Sequence, residues 1–138
     1  EKRGFNFRLT EFQAAVGVAQ LSKGNSFANR KVKHLATYRQ NLSDISDIKF
    51  FDFGKGIVPH RIVAMTTDSE DLITYLVNEG IGARKLFKPM HSQPCYNYLG
   101  DFPITENLYK TGVCLPSAPS LTNDNIEYIC SLIKEYYG

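Results

Sequence analysis

The sequence predicts an α+β fold, a two-layer sandwich in which a small, mostly antiparallel sheet has helices on one face and follows a long N-terminal helix. Three observations lead to this prediction. Apolar residues recur at helical spacing through the first forty residues, whereas the middle of the chain carries short β-prone runs between glycine and proline turns. A capped amphipathic pattern ends the chain. Helices and strands of this kind bury their apolar sides against each other in two layers.

The first predicted helix begins behind a capping box. Thr10 is expected to accept from an early helix amide, and Gln13 to reach back to the Thr10 amide. The apolar stripe of this helix has no evident partner within the chain, so we expect its surface to be exposed. The stripe consists of Phe12, Ala15, Val16 and Ala19.

The segment before this helix alternates aromatic and polar residues. In an extended backbone Phe5 and Phe7 share one face, and Asn6 and Arg8 share the other. In one interpretation the rings dock the segment on the core and leave the polar side chains solvated. In the other, the rings anchor the segment while Asn6 and Arg8 are offered to an anion. The spacing alone does not choose between them.

A second helix is predicted from Phe27 to Leu42, beyond a break or kink at Gly24, since glycine costs about 1 kcal/mol relative to alanine in a helix interior. Its apolar stripe is Ala28, Val32, Leu35, Tyr38 or Arg39, and Leu42. The other face is basic, and we expect it to be solvated; a surface for phosphates or nucleic acid is the alternative. It carries Arg30, Lys31, Lys33 and Arg39.

The rest of the chain alternates predicted strands and helices. We expect strands at residues 48–53, 57–65, 83–87 and 113–115, and a loop at residues 92–100. Helices are expected at residues 70–78, capped by Asp68 or Ser69, at 102–110, and at 123–136, capped by Thr122. Pro59 indicates an edge or entry position in the second strand. The last helix directs one stripe to the core, namely Ile126, Ile129, Cys130 and Ile133.

Composition limits the function classes. A chain of 138 residues corresponds to one domain, and its net charge of +2 is too small to indicate nucleic acid or an anionic membrane as a partner. No apolar run approaches the ~20 residues of a membrane span. The three cysteines show no CxxC and no metal-ligand spacing, so we expect reduced thiols, no metal and a cytoplasmic location. Because the first residue is Glu1, not Met, we expect a fragment of a longer protein.

Three motifs in order along the chain carry a family resemblance: GFNFRLTEFQAAVGVAQL at residues 4–21, GIGAR leading to FKPMH between residues 80 and 91, and LPSAPSLT at residues 115–122. Together they resemble the C-terminal part of the pyridoxal-phosphate-dependent nucleotide-sugar aminotransferases of the DegT/DnrJ/EryC1/StrS family. The resemblance implies the small C-terminal domain of a fold-type-I enzyme, occupying residues 1–138. Residues 1–43 would form the N-terminal arm and long helix, and residues 44–138 the sandwich, without the large cofactor-binding domain.

The same resemblance implies a homodimeric enzyme that binds pyridoxal phosphate, takes an amino group from an amino-acid donor and aminates a keto group of a nucleotide-linked deoxysugar. In the family, the lysine that holds the cofactor covalently and the acid at its ring nitrogen lie in the large domain. None of the ten lysines here has the family's serine-rich context. We therefore expect this chain alone to bind no covalent cofactor and to catalyse nothing.

The resemblance assigns roles to four residues. Asn6 would reach across the dimer to the cofactor phosphate of the other subunit, and Arg8 would bind a carboxylate or phosphate of the amino donor or the sugar nucleotide. His91 would line the sugar pocket and donate to a hydroxyl or a diphosphate oxygen. Arg84 is a second candidate for an anionic group. From the residues alone, His91 is more often structural or exposed, and Arg84 is as readily a surface residue.

Residues 84–87 indicate a subgroup. Where the family often has arginine-proline-phenylalanine-phenylalanine, this chain has RKLF, which favours a perosamine-synthase-like enzyme. The departures at Lys85 and Leu86 leave the sugar open. Two other classes stay open as well: a standalone nucleotide- or RNA-binding module, and a structural dimerisation module without catalysis. The convergence of Asn6, Arg8 and His91 on one edge would separate the enzyme from the dimerisation module.

Overall fold

The computed structural model describes residues 4–52, 54, 56–96 and 100–138. Parts of the predicted first strand (Phe53), of the turn after it (Lys55) and of the predicted loop (residues 97–99) lie outside the described residues. The described elements follow in the order α1 (Glu11–Leu21), α2 (Gly24–Asn41), β1 (Lys49–Phe50), β2 (Ile62–Met65), α3 (Ser69–Asn78), β3 (Arg84–Lys85), a 3₁₀ turn (Met90–Ser92), α4 (Pro103–Thr111), β4 (Gly112–Leu115) and α5 (Asn123–Tyr137).

The four strands form one antiparallel sheet in the order β1-β2-β4-β3. β2 and β3 therefore run in the same direction with β4 between them, and α3 connects them as a split β-α-β unit. Ile62 lies opposite Leu115 and Ala64 opposite Val113, and these four buried side chains form the inner face of the sheet. The predicted α+β fold with a small antiparallel sheet is confirmed.

The core lies between this inner face and helices α2, α3 and α5. All four residues predicted for the stripe of α5 are buried, together with Leu132. Burial raises the pKa of the Cys130 thiol to about 12, so this cysteine stays protonated. Leu72 and Leu76 of α3 are fully buried, and Gly80 ends that helix with a φ of 78°. Asp68 holds the N-cap position of α3 without capping it, because its carboxylate accepts from the Thr66 and Tyr137 hydroxyls.

The second strand is shorter than predicted. It begins at Ile62, and Ile57 and Val58 are exposed. Pro59 has no N–H to offer a neighbouring strand. The carbonyls of Pro59 and His60 instead accept from the Lys31 ammonium, at 3.3 and 2.7 Å. These bonds divert the segment from the sheet to helix α2.

Helix α2 confirms one expectation and corrects another. Its basic face is exposed at Arg30, Lys33 and Arg39, as expected. In addition, Arg30 donates to the Pro119 carbonyl at 2.9 Å and Arg39 to the Phe51 carbonyl at 3.1 Å, alongside the two bonds from Lys31. The predicted stripe is also displaced: Val32 is exposed, whereas His34 is only 3% exposed. Three of the four basic side chains therefore hold loops of the sandwich against α2.

Helix α1 stands apart from this core. The predicted capping box is present, with the Gln13 N–H donating to Thr10 at 3.2 Å and the Thr10 N–H to Gln13 at 2.9 Å. No residue of α1 is buried, and Phe12 is 79% exposed, as the lack of a partner predicted. A two-residue break at Ser22 and Lys23 separates α1 from α2. Among the described helices, none is long and apolar enough to span a bilayer.

Candidate functional site

The N-terminal arm, residues 4–10, places the first two predicted site residues together. The Asn6 Oδ1 accepts from the Arg8 N–H at 3.1 Å, a local bond that orients the amide. Its NH₂ group and the Arg8 guanidinium have no partner among the described residues. The Phe5 and Phe7 rings lie 5.9 Å apart and are 82% and 90% exposed. The interpretation in which these rings dock the arm on the core of this chain is therefore wrong.

His91 lies in the 3₁₀ turn that follows β3. Its Nε2 is 3.2 Å from a carboxylate oxygen of Glu106 on α4, and its ring packs on Phe102 with centroids 4.7 Å apart. The side chain is only 15% exposed. When the ring is neutral and Nε2–H donates to Glu106, Nδ1 is an acceptor. Sequence reasoning identified His91 but not Glu106 or Phe102, since no local pattern joins residues eleven and fifteen positions away.

Arg84 lies elsewhere, on the outer face of the sheet. Arg84 of β3 and Val63 of β2 both pair with Cys114 of β4, the strand that lies between them. Because residues paired across strands point to the same face, these three side chains share the face opposite the core. Arg61 belongs to the same surface, and its guanidinium carbon lies 4.6 Å from the centroid of the Phe87 ring. Sequence reasoning missed Arg61; its spacing of two from Val63 was the signal that could have placed it there.

The next residue, Lys85, points to the opposite face and acts as a structural tie. Its ammonium donates to the Ser69 hydroxyl at 2.8 Å and to the Lys110 carbonyl at 2.7 Å, with a carboxylate oxygen of Glu70 at 3.4 Å. These contacts join β3 to the start of α3 and the end of α4. Because α4 also carries Glu106, Lys85 helps to hold the partner of His91 in place.

The other unusual residue, Leu86, packs against Gly112. A side chain at Gly112 would collide with Leu86 and would approach the Leu108 carbonyl oxygen to 2.6 Å. This close contact explains why a glycine begins β4. The two departures from the family pattern therefore both have structural partners in this chain.

Within one chain the predicted site residues fall into separate groups, so the described residues do not show the convergence of Asn6, Arg8 and His91 that would separate an enzyme from a dimerisation module. Asn6 and Arg8 share the arm, His91 lies against α4, and Arg84 lies on the outer sheet face. In the described part of the chain no hydrogen bond or ion pair joins the arm to residues 84–91. No group of three or more His, Cys, Asp or Glu side chains among the described residues is placed to hold a metal ion. The role of each site residue stays a prediction.

Nearly the whole chain is similar to proteins of known families. A sequence model of the DegT/DnrJ/EryC1/StrS aminotransferase family matches residues 1–134. The chain is 33% identical to a GDP-perosamine synthase of Escherichia coli O157:H7, over 98% of this chain and 38% of that protein. It is 30% identical to a GDP-perosamine synthase of Vibrio cholerae, over 97% of this chain and 39% of that protein. The chain thus spans about two fifths of the length of these relatives.

Solved structures show the same architecture. The chain matches DesV of S. venezuelae with a TM-score of 0.88 and 25% identity, over 99% of this chain and 38% of that one. It matches PseC of Helicobacter pylori, an aminotransferase involved in the biosynthesis of pseudoaminic acid, with a TM-score of 0.86 and 22% identity. That match covers 98% of this chain and 39% of the other, and at this identity it shows the fold alone. The predicted family resemblance is confirmed.

Proposed function

The chain belongs to the DegT/DnrJ/EryC1/StrS aminotransferase family, and from this premise we propose that it is the C-terminal part of a homodimeric, cytoplasmic, pyridoxal-phosphate-dependent enzyme. The enzyme aminates a keto group of a nucleotide-linked deoxysugar with an amino group from an amino-acid donor. The similarity of nearly the whole chain to two GDP-perosamine synthases supports this substrate class.

The observation that carries the proposal is the state of the N-terminal arm. The arm presents an amide that is oriented by its bond to the Arg8 N–H, and neither the NH₂ group of this amide nor the Arg8 guanidinium has a partner among the described residues of this chain. Between the arm and the core lies α1, about 16 Å long for its 11 residues and without a buried side chain. An arm so placed suits a site that another subunit completes.

The residues of the arm fit a cofactor phosphate. The amide of Asn6 offers two N–H donors and no charge, which suits a phosphate whose charge other donors already balance. Arg8 offers a planar pair of donors to a carboxylate or phosphate of the substrates. When bound, pyridoxal phosphate supplies the electron sink of transamination. The arm itself contributes binding and orientation.

His91 orients the sugar in this proposal. Because Nε2 is engaged by Glu106, a neutral His91 accepts a hydrogen bond from a sugar hydroxyl at Nδ1, and donates there only when it is protonated. This refines the expectation that His91 donates. Stacking on Phe102 and the bond to Glu106 restrict the ring, so little further ordering is needed when substrate binds.

The test is cofactor retention by the full-length protein. Asn6→Ala is expected to weaken pyridoxal phosphate binding by about 10- to 100-fold, since a hydrogen bond to a charged group contributes about 1.5–3 kcal/mol. Spectrophotometric titration and dialysis of the bound cofactor measure the effect. Asn78→Ala, an exposed asparagine at the end of α3, is the matched control. Equal cofactor affinity in the two variants would contradict the role of Asn6.

A further inference from the structure

Two residues at the start of α4 hold His91 from different directions. The Nε2 of His91 lies 3.2 Å from a carboxylate oxygen of Glu106, and its ring packs on the Phe102 ring with centroids 4.7 Å apart. The Glu106 N–H in turn donates to the Phe102 carbonyl at 3.0 Å, the bond that opens the helix. One helical turn therefore supplies both contacts to the imidazole.

The other end of α4 is tied to the strand that leads to His91. Lys85 of β3 donates to the Lys110 carbonyl at 2.7 Å. Lys85 precedes His91 by six residues, and Lys110 follows Glu106 by four residues, about one helical turn. Two contacts thus join α4 to the segment from β3 to His91, and together they fix the place of Glu106 relative to the imidazole.

The contact with Glu106 determines which nitrogen of a neutral His91 carries the proton. An ionised carboxylate only accepts hydrogen bonds, so Nε2 must donate and Nδ1 becomes an acceptor. Nδ1 has no partner among the described residues. It is not one of the enclosed unpaired atoms in the described part of the chain, so it is open to a ligand.

The stability of the fold gives little reason for this pair. The Glu106 side chain is 59% exposed, and pairs with so exposed a partner contribute little to the free energy of unfolding. His91, by contrast, is held in one orientation by a ring on one side and a carboxylate on the other. Such restraint is useful where a ring must meet a ligand with one defined nitrogen.

We propose that Glu106 is a positioning residue that acts through His91. Its carboxylate keeps the proton of the neutral ring on Nε2 and holds the ring so that Nδ1 accepts from a hydroxyl of the nucleotide-linked sugar. This inference rests on the proposed function and adds to it the residue that gives His91 its acceptor role. Glu106 itself does not touch the sugar in this arrangement.

The test is calorimetric binding of GDP-perosamine, the product of two of the relatives, to the full-length protein loaded with pyridoxal phosphate. His91→Ala is expected to weaken binding about 2- to 10-fold, as loss of one hydrogen bond does. Glu106→Ala should weaken it by no more than that. The double variant should bind no more weakly than His91→Ala, because residues that act as a unit are not additive.

Two further variants separate positioning from a general effect on the helix. Glu106→Gln keeps an acceptor oxygen at the same reach and is expected to recover most of the affinity that Glu106→Ala loses. Asp124→Ala is the matched control, since Asp124 is an exposed acid in the first turn of α5 as Glu106 is in α4, and it should leave the affinity unchanged. Glu106→Ala should also leave the urea midpoint unchanged.

Each contrary outcome has a distinct meaning. Wild-type affinity in Glu106→Ala, together with weaker binding by His91→Ala, would overturn the role of Glu106 and leave that of His91 in place. Additive losses in the double variant, or a lower urea midpoint in Glu106→Ala, would also overturn it. If His91→Ala binds normally, or the unchanged protein does not bind GDP-perosamine, the proposed function itself fails at this site and the inference fails with it.

Discussion

Two regions of this chain have equally clear local signals and opposite tertiary environments. The N-terminal extension, defined as residues 4–21, comprises the arm and the capped helix α1, and none of its residues is buried. The sandwich, residues 44–138, ends in a helix with the same kind of capping box, yet five residues of that helix are buried. The comparison shows that local signals form a helix, whereas burial depends on a facing surface. For the extension, the described part of this chain offers no such surface.

The largest expected difference between the regions is in the response to truncated side chains. Ile133→Ala is expected to lower the free energy of unfolding by about 2–5 kcal/mol, because it empties a fully buried position. Phe12→Ala removes a larger side chain but is expected to change the same quantity by less than about 0.5 kcal/mol, since Phe12 is exposed. Urea denaturation of the 138-residue chain measures both. Similar losses would mean that α1 packs on the sandwich.

A smaller effect is expected on association. The 138-residue chain should self-associate through the extension, because its apolar side chains have no cover within the described chain. Phe12→Asp is expected to weaken association by about 2 kcal/mol, or roughly 30-fold. Val77→Asp, at an exposed apolar position of the sandwich, is the control and should have no effect. A chain that stays monomeric in light scattering at high concentration would refute this prediction.

The smallest expected difference concerns the two matched capping boxes. Thr122→Ala should lower the free energy of unfolding by about 1 kcal/mol, the usual cost of losing an N-cap. Thr10→Ala removes the equivalent cap of α1 and should leave the free energy of unfolding unchanged, because α1 is not part of the packed core. Thermal and urea unfolding of the two variants give the comparison. A loss of about 1 kcal/mol in both would show that α1 unfolds cooperatively with the sandwich.

The sequence predicted the helices better than the strands. Pro103 and Thr122 marked helix starts to within one residue, because a cap or an N-terminal proline acts through its own backbone. The second strand was predicted five residues too early, since the run from Ile57 onward is β-prone throughout. Contacts with Lys31, 28 and 29 positions earlier, decided that the first part of this run leaves the sheet.

The sequence likewise predicted some parts of the candidate site and not others. Asn6, Arg8, Arg84 and His91 were found from short motifs, because a family motif is local in sequence. The bond between His91 and Glu106, the burial of His34 and the contacts of Lys85 could not be found in this way. Each depends on how two elements pack, and the pattern within one element does not contain that information.

The sequence by itself thus determined which segments are helical, where the caps lie and that the extension would lack an internal partner. These properties follow from periodicity and from hydrogen bonds between residues three or four positions apart. Only the tertiary structure decided that β4 lies between β2 and β3, that His34 joins the core, and that Lys85 ties three elements together. These features depend on which surfaces pack against each other, and that packing involves segments that are distant in the sequence.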